Sequence, residues 1–210
     1  MNESAHLPDP RAGGPGERAA GPAALSCLGL TRAQFAAAAQ LALPAGHGLA
    51  PELYRQAFAL GRFDFDRLGT PVPEARRAQW QSAFAIDLLE PRRVAEEELD
   101  LGTTAKAVFA TSDGYEIESV LIPMRYAADG SVSAYTQCLS SQVGCRMGCT
   151  FCETGRMGLI RQLTAAEIVG EVVAVRKHLG WRPRNLVFMG MGEPLDNAAN
   201  LVQALRVLCD

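Results

Sequence analysis

Cys145-Arg-Met-Gly-Cys149-Thr-Phe-Cys152 sets three cysteines in the spacing C-x3-C-x2-C. Three thiolates on one loop can converge on a single metal centre, since Gly144 and Gly148 let the backbone fold tightly around it. Zinc usually needs two C-x2-C pairs or added histidines, and neither lies nearby. An iron–sulfur cluster fits better, because cysteine thiolates are its preferred ligands. Three local ligands would leave one iron open as a reaction site, with a structural metal as the alternative.

The cysteine distribution argues against a disulfide scaffold. Six cysteines occur, and four of them fall between residues 138 and 152. A disulfide scaffold would spread them through a small secreted chain, and we find no secretory signal. The remaining two are Cys27 and Cys209, which we interpret as structural. The clustering therefore indicates metal or redox chemistry.

The composition is that of a globular protein. The 210 residues include 20 Lys+Arg and 23 Asp+Glu, for a net charge of −3, and 48% are hydrophobic. No apolar run approaches the roughly 20 residues that span a bilayer. We therefore predict a cytoplasmic protein without membrane contact. The charge balance excludes a histone-like polycation but permits a local basic patch.

The residues after the cysteines predict a parallel α/β fold. Thr164 to Glu167 has the form of a capping box, which begins a helix to about Leu179. Residues 185–189 read as a strand buried on both faces, and Asp196 or Asn197 caps a last helix. Functional loops in such folds follow the carboxyl ends of the strands. Two parallel strands cannot close a barrel, so the chain reads as a partial (β/α) barrel and as the front part of something longer.

The residues before the cysteines predict a short β meander. Asp113-Gly114 and Asp129-Gly130 mark two turns that join three strands between Lys106 and Leu139. Period-two alternation sets Glu118 on one face with Val120 and Ile122. A carboxylate there is either an edge residue reaching solvent or a partly desolvated acid with a raised pKa.

The first hundred residues predict a tail and a small helical module. Residues 1–25 are rich in Gly, Pro and charge and are expected to be disordered. Thr31 caps one helix, Pro51 opens another, and residues 75–89 also look helical. The predicted division is a tail over 1–25, a helical accessory module over 26–100, and an incomplete core over 101–210.

Four blocks in order resemble the RlmN/Cfr family of radical S-adenosylmethionine (SAM) enzymes, which methylate adenine in ribosomal RNA. The resemblance covers residues 100–210. The matching blocks are Ser140-Ser-Gln-Val-Gly-Cys145, Cys149-Thr-Phe-Cys-Glu-Thr-Gly155, Leu163-Thr-Ala-Ala-Glu-Ile-Val-Gly170 and Phe188-Met-Gly-Met-Gly-Glu-Pro194.

The resemblance implies two cofactors. Cys145, Cys149 and Cys152 would hold a [4Fe-4S] cluster whose fourth iron chelates SAM. Reduction of that cluster would cleave SAM to methionine and a 5′-deoxyadenosyl radical. Gly192 and Glu193 match the loop that contacts SAM. From the residues alone, a Gly-rich turn with a solvent-facing glutamate is an equal alternative.

The resemblance also implies two catalytic residues. Glu118 aligns with a glutamate that accepts a proton from the substrate adenine. Cys138 matches a cysteine that resolves a covalent protein–RNA adduct by pairing transiently with a second cysteine, which implies a disulfide bond. Considered alone, a strand cysteine would be read as packing.

The implied substrate is an adenine, modified at C2 or alternatively at C8, in 23S rRNA, with tRNA as a second candidate. The methyl-carrying cysteine of the family lies downstream of these motifs, so we expect the 210-residue chain alone to form no methylated product. Further expectations are a reductant such as flavodoxin or ferredoxin and a monomeric state. Seven Arg or Lys between Cys145 and Arg184 suit a nucleic acid, or else a solvated helix face.

Two other classes remain open. A different radical SAM enzyme, acting on a protein or small molecule, should not need Glu118 and Cys138 together. A non-catalytic zinc-binding RNA module would be colourless and indifferent to oxygen.

Overall fold

The computed structural model describes residues 24–99 and 102–210. The disordered tail predicted for residues 1–25 lies outside the described residues, except for its last two positions. No helix within the described ranges is both long enough and apolar enough to cross a membrane.

A helical module comes first. Its three helices lie between two short strands that pair in parallel. In chain order the elements are β1 (Leu25–Ser26), α1 (Arg32–Ala42), α2 (Ala50–Leu60), α3 (Glu74–Ala83) and β2 (Phe84–Ala85). Thr31 caps α1 in a reciprocal capping box with Gln34. The helix predicted over 75–89 ends earlier, because Phe84 turns into β2 and packs its ring 4.7 Å from that of Phe35.

Four antiparallel strands follow, one more than predicted. They are β3 (Glu90–Leu99), β4 (Gly102–Ala110), β5 (Glu116–Tyr126) and β6 (Val132–Cys138). The meander prediction missed β3, since residues 90–98 are mostly charged and show no apolar alternation. Pairing with β4 makes them a strand. The sheet thus begins ten residues before the boundary predicted near residue 100.

A second, smaller sheet carries the cysteine loop. Strands β7 (Gln142–Cys145) and β8 (Gly158–Gln162) pair antiparallel, with α4 (Glu153–Arg156) between them. Helix α5 (Ala165–His178) follows and begins at the predicted capping box of Thr164 and Glu167.

The parallel α/β arrangement is confirmed for two units. Strand β9 (Asn185–Val187) pairs in parallel with β6, and α6 (Ala198–Leu208) follows it. Strand β9 lies at the edge of the five-stranded sheet, in the order β3-β4-β5-β6-β9. It is half-exposed rather than buried on both faces, because none of the described residues pairs with its outer edge.

The two faces of the large sheet differ in burial. One face packs into a hydrophobic core that also contains residues of the helical module and of α5, such as Phe35, Trp80, Phe109 and Ile168. The opposite face carries Glu118, Val120 and Ile122, which are half-exposed. The period-two alternation therefore predicted correctly that these three side chains share one face of the sheet, and that face is open to solvent.

Candidate cluster and cofactor site

Glu118 and Cys138 lie on the same open face of the sheet. Val120 is opposite both Lys106 on β4 and Cys138 on β6, so all three side chains point to the face that bears Glu118. The Nζ of Lys106 lies 2.6 Å from Oε1 of Glu118, and the Glu118 side chain is 40% exposed. Glu118 is thus an ion-paired, accessible carboxylate rather than one buried in an apolar site.

Cys138 is a buried thiol beside the glycine loop. It is 7% exposed, and burial raises its pKa, which a hydrogen bond from the Met189 backbone partly offsets. All six cysteines of the chain are free thiols. The structure therefore gives no support to the expected disulfide bond: Cys138 lies between Val120 and Val187 in the sheet, with no cysteine of the described residues opposite it, and the transient pairing with a second cysteine stays a prediction.

The three motif cysteines lie on one loop with a fixed start and an open tip. Cys145 is buried at the end of β7, where Gly144 adopts φ +75° against the backbone of β8. Gly148 also has a positive φ, +67°, and turns the loop toward Cys149, which is exposed. The Cys152 N–H donates to the Cys149 carbonyl at 3.1 Å, which closes the turn into α4.

The donor set suits an iron–sulfur cluster. Three thiols come from one loop, and thiolates are the ligands such clusters prefer. Gly155 lies against this turn, where a Cβ would be 3.3 Å from the Cys149 carbonyl oxygen. Among residues 24–99 and 102–210, no three His, Cys, Asp or Glu side chains meet closely enough to hold a single metal ion. The ligand roles of the three cysteines thus stay a prediction from chemistry and spacing.

The Gly190–Glu193 loop is hydrogen-bonded to the segment that leads into the cysteine loop. The Ser141 N–H donates to the Met191 carbonyl at 2.8 Å, and the Glu193 N–H donates to Gln142 Oε1 at 2.8 Å. A Cβ on Gly192 would lie 2.5 Å from the Gln142 side chain, so glycine is required for this approach. In the structure, the close backbone approach that we predicted for a ligand is made to Gln142 of the same chain.

Glu193 has a local role as well. Its Oε1 accepts the Leu195 N–H at 3.0 Å and so caps the single 3-10 turn Pro194–Asn197. The carboxylate is half-exposed. Asn197, predicted as a helix cap, makes no capping bond; its amide instead donates to the carbonyls of Ser141 and Leu163.

Two buried polar residues join these parts, and sequence reasoning assigned neither a role. The Ser140 hydroxyl donates to the Glu118 carbonyl at 2.7 Å and accepts the Met191 N–H at 3.0 Å. Behind it, Glu171 of α5 is fully buried and accepts the Ser140 N–H. A glutamate inside the apolar run Ile168–Val175 was the signal available for Glu171.

The basic stretch divides into two groups. Three residues form ion pairs with carboxylates, namely Arg146 with Asp196, Arg156 with Glu153, and Arg161 with Asp113 and Glu167. The other four have no such partner among the described residues, namely Arg176, Lys177, Arg182 and Arg184. Arg176 and Lys177 lie in the last turn of α5, a position that favours cations, and Arg182 and Arg184 lie between α5 and β9.

Comparison with known proteins agrees with this architecture. The Radical SAM superfamily matches residues 139–210. A crystal structure of a radical SAM methyltransferase from Sphaerobacter thermophilus superimposes with a TM-score of 0.70 at 34% identity, covering 89% of this chain and 52% of that one.

Curated relatives are similar over most of the chain. A dual-specificity RNA methyltransferase RlmN from Nitratidesulfovibrio vulgaris (strain DSM 19637 / Miyazaki F) is 48% identical over 152 residues, 70% of this chain and 40% of the relative. Another, from Campylobacter concisus (strain 13826), is 38% identical over 168 residues, 76% of this chain and 43% of the relative. The chain thus spans less than half the length of these relatives. The match to the radical SAM superfamily and the similarity to relatives named RlmN confirm the resemblance that the four sequence blocks indicated.

Proposed function

We propose that this chain supplies the cluster- and SAM-binding part of a methyltransferase that modifies an adenine in RNA. One observation carries the proposal. The Gly190–Glu193 loop follows the carboxyl end of β9, and the chain leaving the carboxyl end of the neighbouring strand β6 passes through β7 into the cysteine loop. The Glu193 N–H donates to Gln142 Oε1 at 2.8 Å and so joins the two segments. Loops at this end of parallel strands hold the functional groups in such folds.

The family implies two cofactors, a [4Fe-4S] cluster and SAM. When reduced, the cluster supplies the electron that cleaves SAM. In the proposal Cys145, Cys149 and Cys152 hold the cluster. Gly192 and Glu193 belong to the loop proposed to contact SAM. Gly192 lets this loop pack against Gln142, and Glu193, held by the Leu195 N–H through Oε1, pairs with the SAM ammonium group.

Glu118 accepts a proton from the substrate adenine in this proposal. Its half-exposed carboxylate, which is ion-paired with Lys106, is within reach of a base entering over the open sheet face. Cys138, on the same face, supplies the thiol that resolves the covalent protein–RNA adduct. Its burial keeps it protonated until a base acts on it.

The substrate is proposed by family. Relatives named dual-specificity RNA methyltransferase support an RNA substrate. The family resemblance implies 23S rRNA, with tRNA as the second candidate. The proposed position is C2, with C8 as the alternative, and the methyl-carrying cysteine would lie outside residues 1–210. A flavodoxin or ferredoxin as reductant and a monomeric enzyme complete the proposal.

Anaerobic reconstitution with iron and sulfide tests the proposal. We expect a brown chain with about four irons, and we expect Cys149→Ala to lose both colour and iron. Cys209→Ala is the matched control, because Cys209 is also an exposed free thiol but lies outside the loop. Its iron content should equal that of the wild type.

Two outcomes would contradict the proposal. Zinc binding without colour would favour a non-catalytic metal-binding module. Iron retained by Cys149→Ala would show that the cysteine loop is not the cluster site.

A further inference from the structure

A single carboxylate, Asp196, lies between the two loops that the proposed function assigns to cluster and SAM. Its side chain is 11% exposed, although it belongs to the 3-10 turn that follows Glu193. Arg146, which lies between the first two motif cysteines, donates to one of its oxygens. The Gln142 amide donates to the other at 2.9 Å.

Gln142 links Asp196 to two further residues, Gln162 and Glu193. Its amide nitrogen also donates to Gln162 Oε1 at 2.9 Å, while its amide oxygen accepts the Glu193 N–H at 2.8 Å. The Gln162 amide in turn donates to the Asp196 carbonyl at 2.9 Å. The nitrogen and the oxygen of both side-chain amides are therefore hydrogen-bonded.

Three further points separate this network from a surface ion pair. Two of its members, Gln142 and Asp196, are largely shielded from solvent. Asp196 is 50 positions from Arg146 and 54 from Gln142 in the chain, so these contacts are tertiary. Hydrogen bonds to an ionised partner are stronger than neutral ones, and a partly buried carboxylate loses more when left unpaired.

We propose that Asp196 is a positioning residue, which holds the cysteine loop through Arg146 and the Gly190–Glu193 loop through Gln142 in one fixed arrangement. This inference rests on the proposed function, because the two loops are those assigned to cluster and SAM. The arrangement holds the two loops side by side, so that cluster and SAM would be bound next to each other. Loss of Asp196 uncouples the loops without unfolding the chain.

Amide hydrogen exchange on the chain without cofactors tests the coupling directly. In Asp196→Ala, exchange should rise about 10-fold in both residues 146–152 and residues 189–193. In Arg146→Gln it should rise only in 146–152, because Gln142 still holds Asp196 in place. Glu153→Gln is the matched control, since it breaks an exposed ion pair in the same loop and makes no contact with the other loop.

A second readout uses the reconstituted cluster. Iron release to a chelator should be about 10-fold faster in Asp196→Ala than in the wild type or Glu153→Gln. Circular dichroism and thermal unfolding check that each variant is folded. If Asp196→Ala does not fold, Arg146→Gln, at a side chain that is 61% exposed, carries the test.

The outcomes separate the two claims. Equal exchange and equal iron release in all variants, with a cluster formed in the wild type, would overturn the positioning role and leave the proposed function standing. A wild type that takes up no cluster would overturn the proposed function and with it the purpose assigned to Asp196.

Discussion

The carboxyl group of Glu171 accepts the backbone N–H of Ser140, with its two oxygens 3.1 and 3.2 Å from that nitrogen. Glu171 is in the middle of α5 and fully buried, and burial raises its pKa well above the usual range for glutamate. The segment that leads from β6 to the cysteine loop is therefore anchored to a buried carboxyl group of the helix behind it.

We expect Glu171→Gln to flatten the dependence of stability on pH. The folded chain retains the Glu171 proton, whereas the unfolded chain releases it above about pH 4.3. The free energy of unfolding of the wild type must therefore fall as pH rises above that value, until the raised pKa is passed. Glutamine keeps an acceptor for the Ser140 N–H and cannot ionise. The free energy of unfolding of the variant should therefore rise relative to that of the wild type as the pH approaches 8.

Denaturant unfolding at a series of pH values measures this effect. Glu153→Gln removes an exposed carboxylate and serves as the control, with a profile parallel to that of the wild type. A Glu171→Gln profile that also runs parallel to the wild type would mean that Glu171 is charged in the fold.

Ser140→Ala should destabilise the chain by about 1–3 kcal/mol, the cost of leaving buried polar groups unpaired. The lost hydroxyl serves both the Glu118 carbonyl and the Met191 N–H. Ser141→Ala is the comparison, because its hydroxyl makes one long contact of 3.4 Å. Equal losses in the two variants would contradict the role given to Ser140.

We expect Arg161→Gln to destabilise the chain most at neutral pH. Arg161 contacts Asp113 at 2.6 Å and Glu167 at 2.7 Å, and it lowers the pKa of Asp113. A lowered pKa contributes stability above the unfolded value of about 3.9, and that contribution is lost as pH falls through the folded pKa. The difference between wild type and variant should shrink below about pH 4.

Acid titration followed by circular dichroism measures that difference. Arg156→Gln is the control, because Arg156 makes an exposed pair with Glu153 and such pairs contribute about 0–1 kcal/mol. A difference for Arg161→Gln that stays constant down to pH 2 would contradict the assignment.

Gly192→Ala should be far more damaging than Gly148→Ala. Both glycines have a positive φ, which costs another residue about 1–2 kcal/mol. At Gly192 the new methyl would also overlap Gln142, whereas at Gly148 nothing lies within 4 Å. Thermal unfolding of the two variants gives the comparison, and similar losses would show that the Gly190–Glu193 loop can shift away.

Alkylation of the native chain without cofactors should modify the cysteines at different rates. The exposed thiols of Cys149 and Cys209 should react first, and Cys27 last, because it is fully buried and its pKa is raised to about 12. Mass spectrometry of the labelled peptides over time gives the order. Fast labelling of Cys27 would show that the helical module opens readily.

Local sequence signals predicted several elements correctly. The helix cap at Thr31, the capping box at Thr164 and the Asp-Gly turns define their elements through contacts within a few residues. The three-cysteine spacing and the blocks around it indicated the family, because they are local patterns that can be read directly along the chain.

Strand β3 could not be predicted, because its residues carry no apolar pattern and are fixed by pairing with β4. The early end of α3 likewise depends on the packing of Phe84 against a distant ring. Both outcomes were decided by partners far away in the sequence.

The sequence by itself determined the donor set, the helix starts and the face of the sheet that bears Glu118, because each depends on side-chain type and short-range period. Only the tertiary structure decided that Lys106 pairs with Glu118, that Ser140 and Glu171 anchor the route into the cysteine loop, and that Asp196 joins the two loops. Those contacts link residues on different elements, and sequence periodicity carries no information about which distant polar groups will meet when the elements pack.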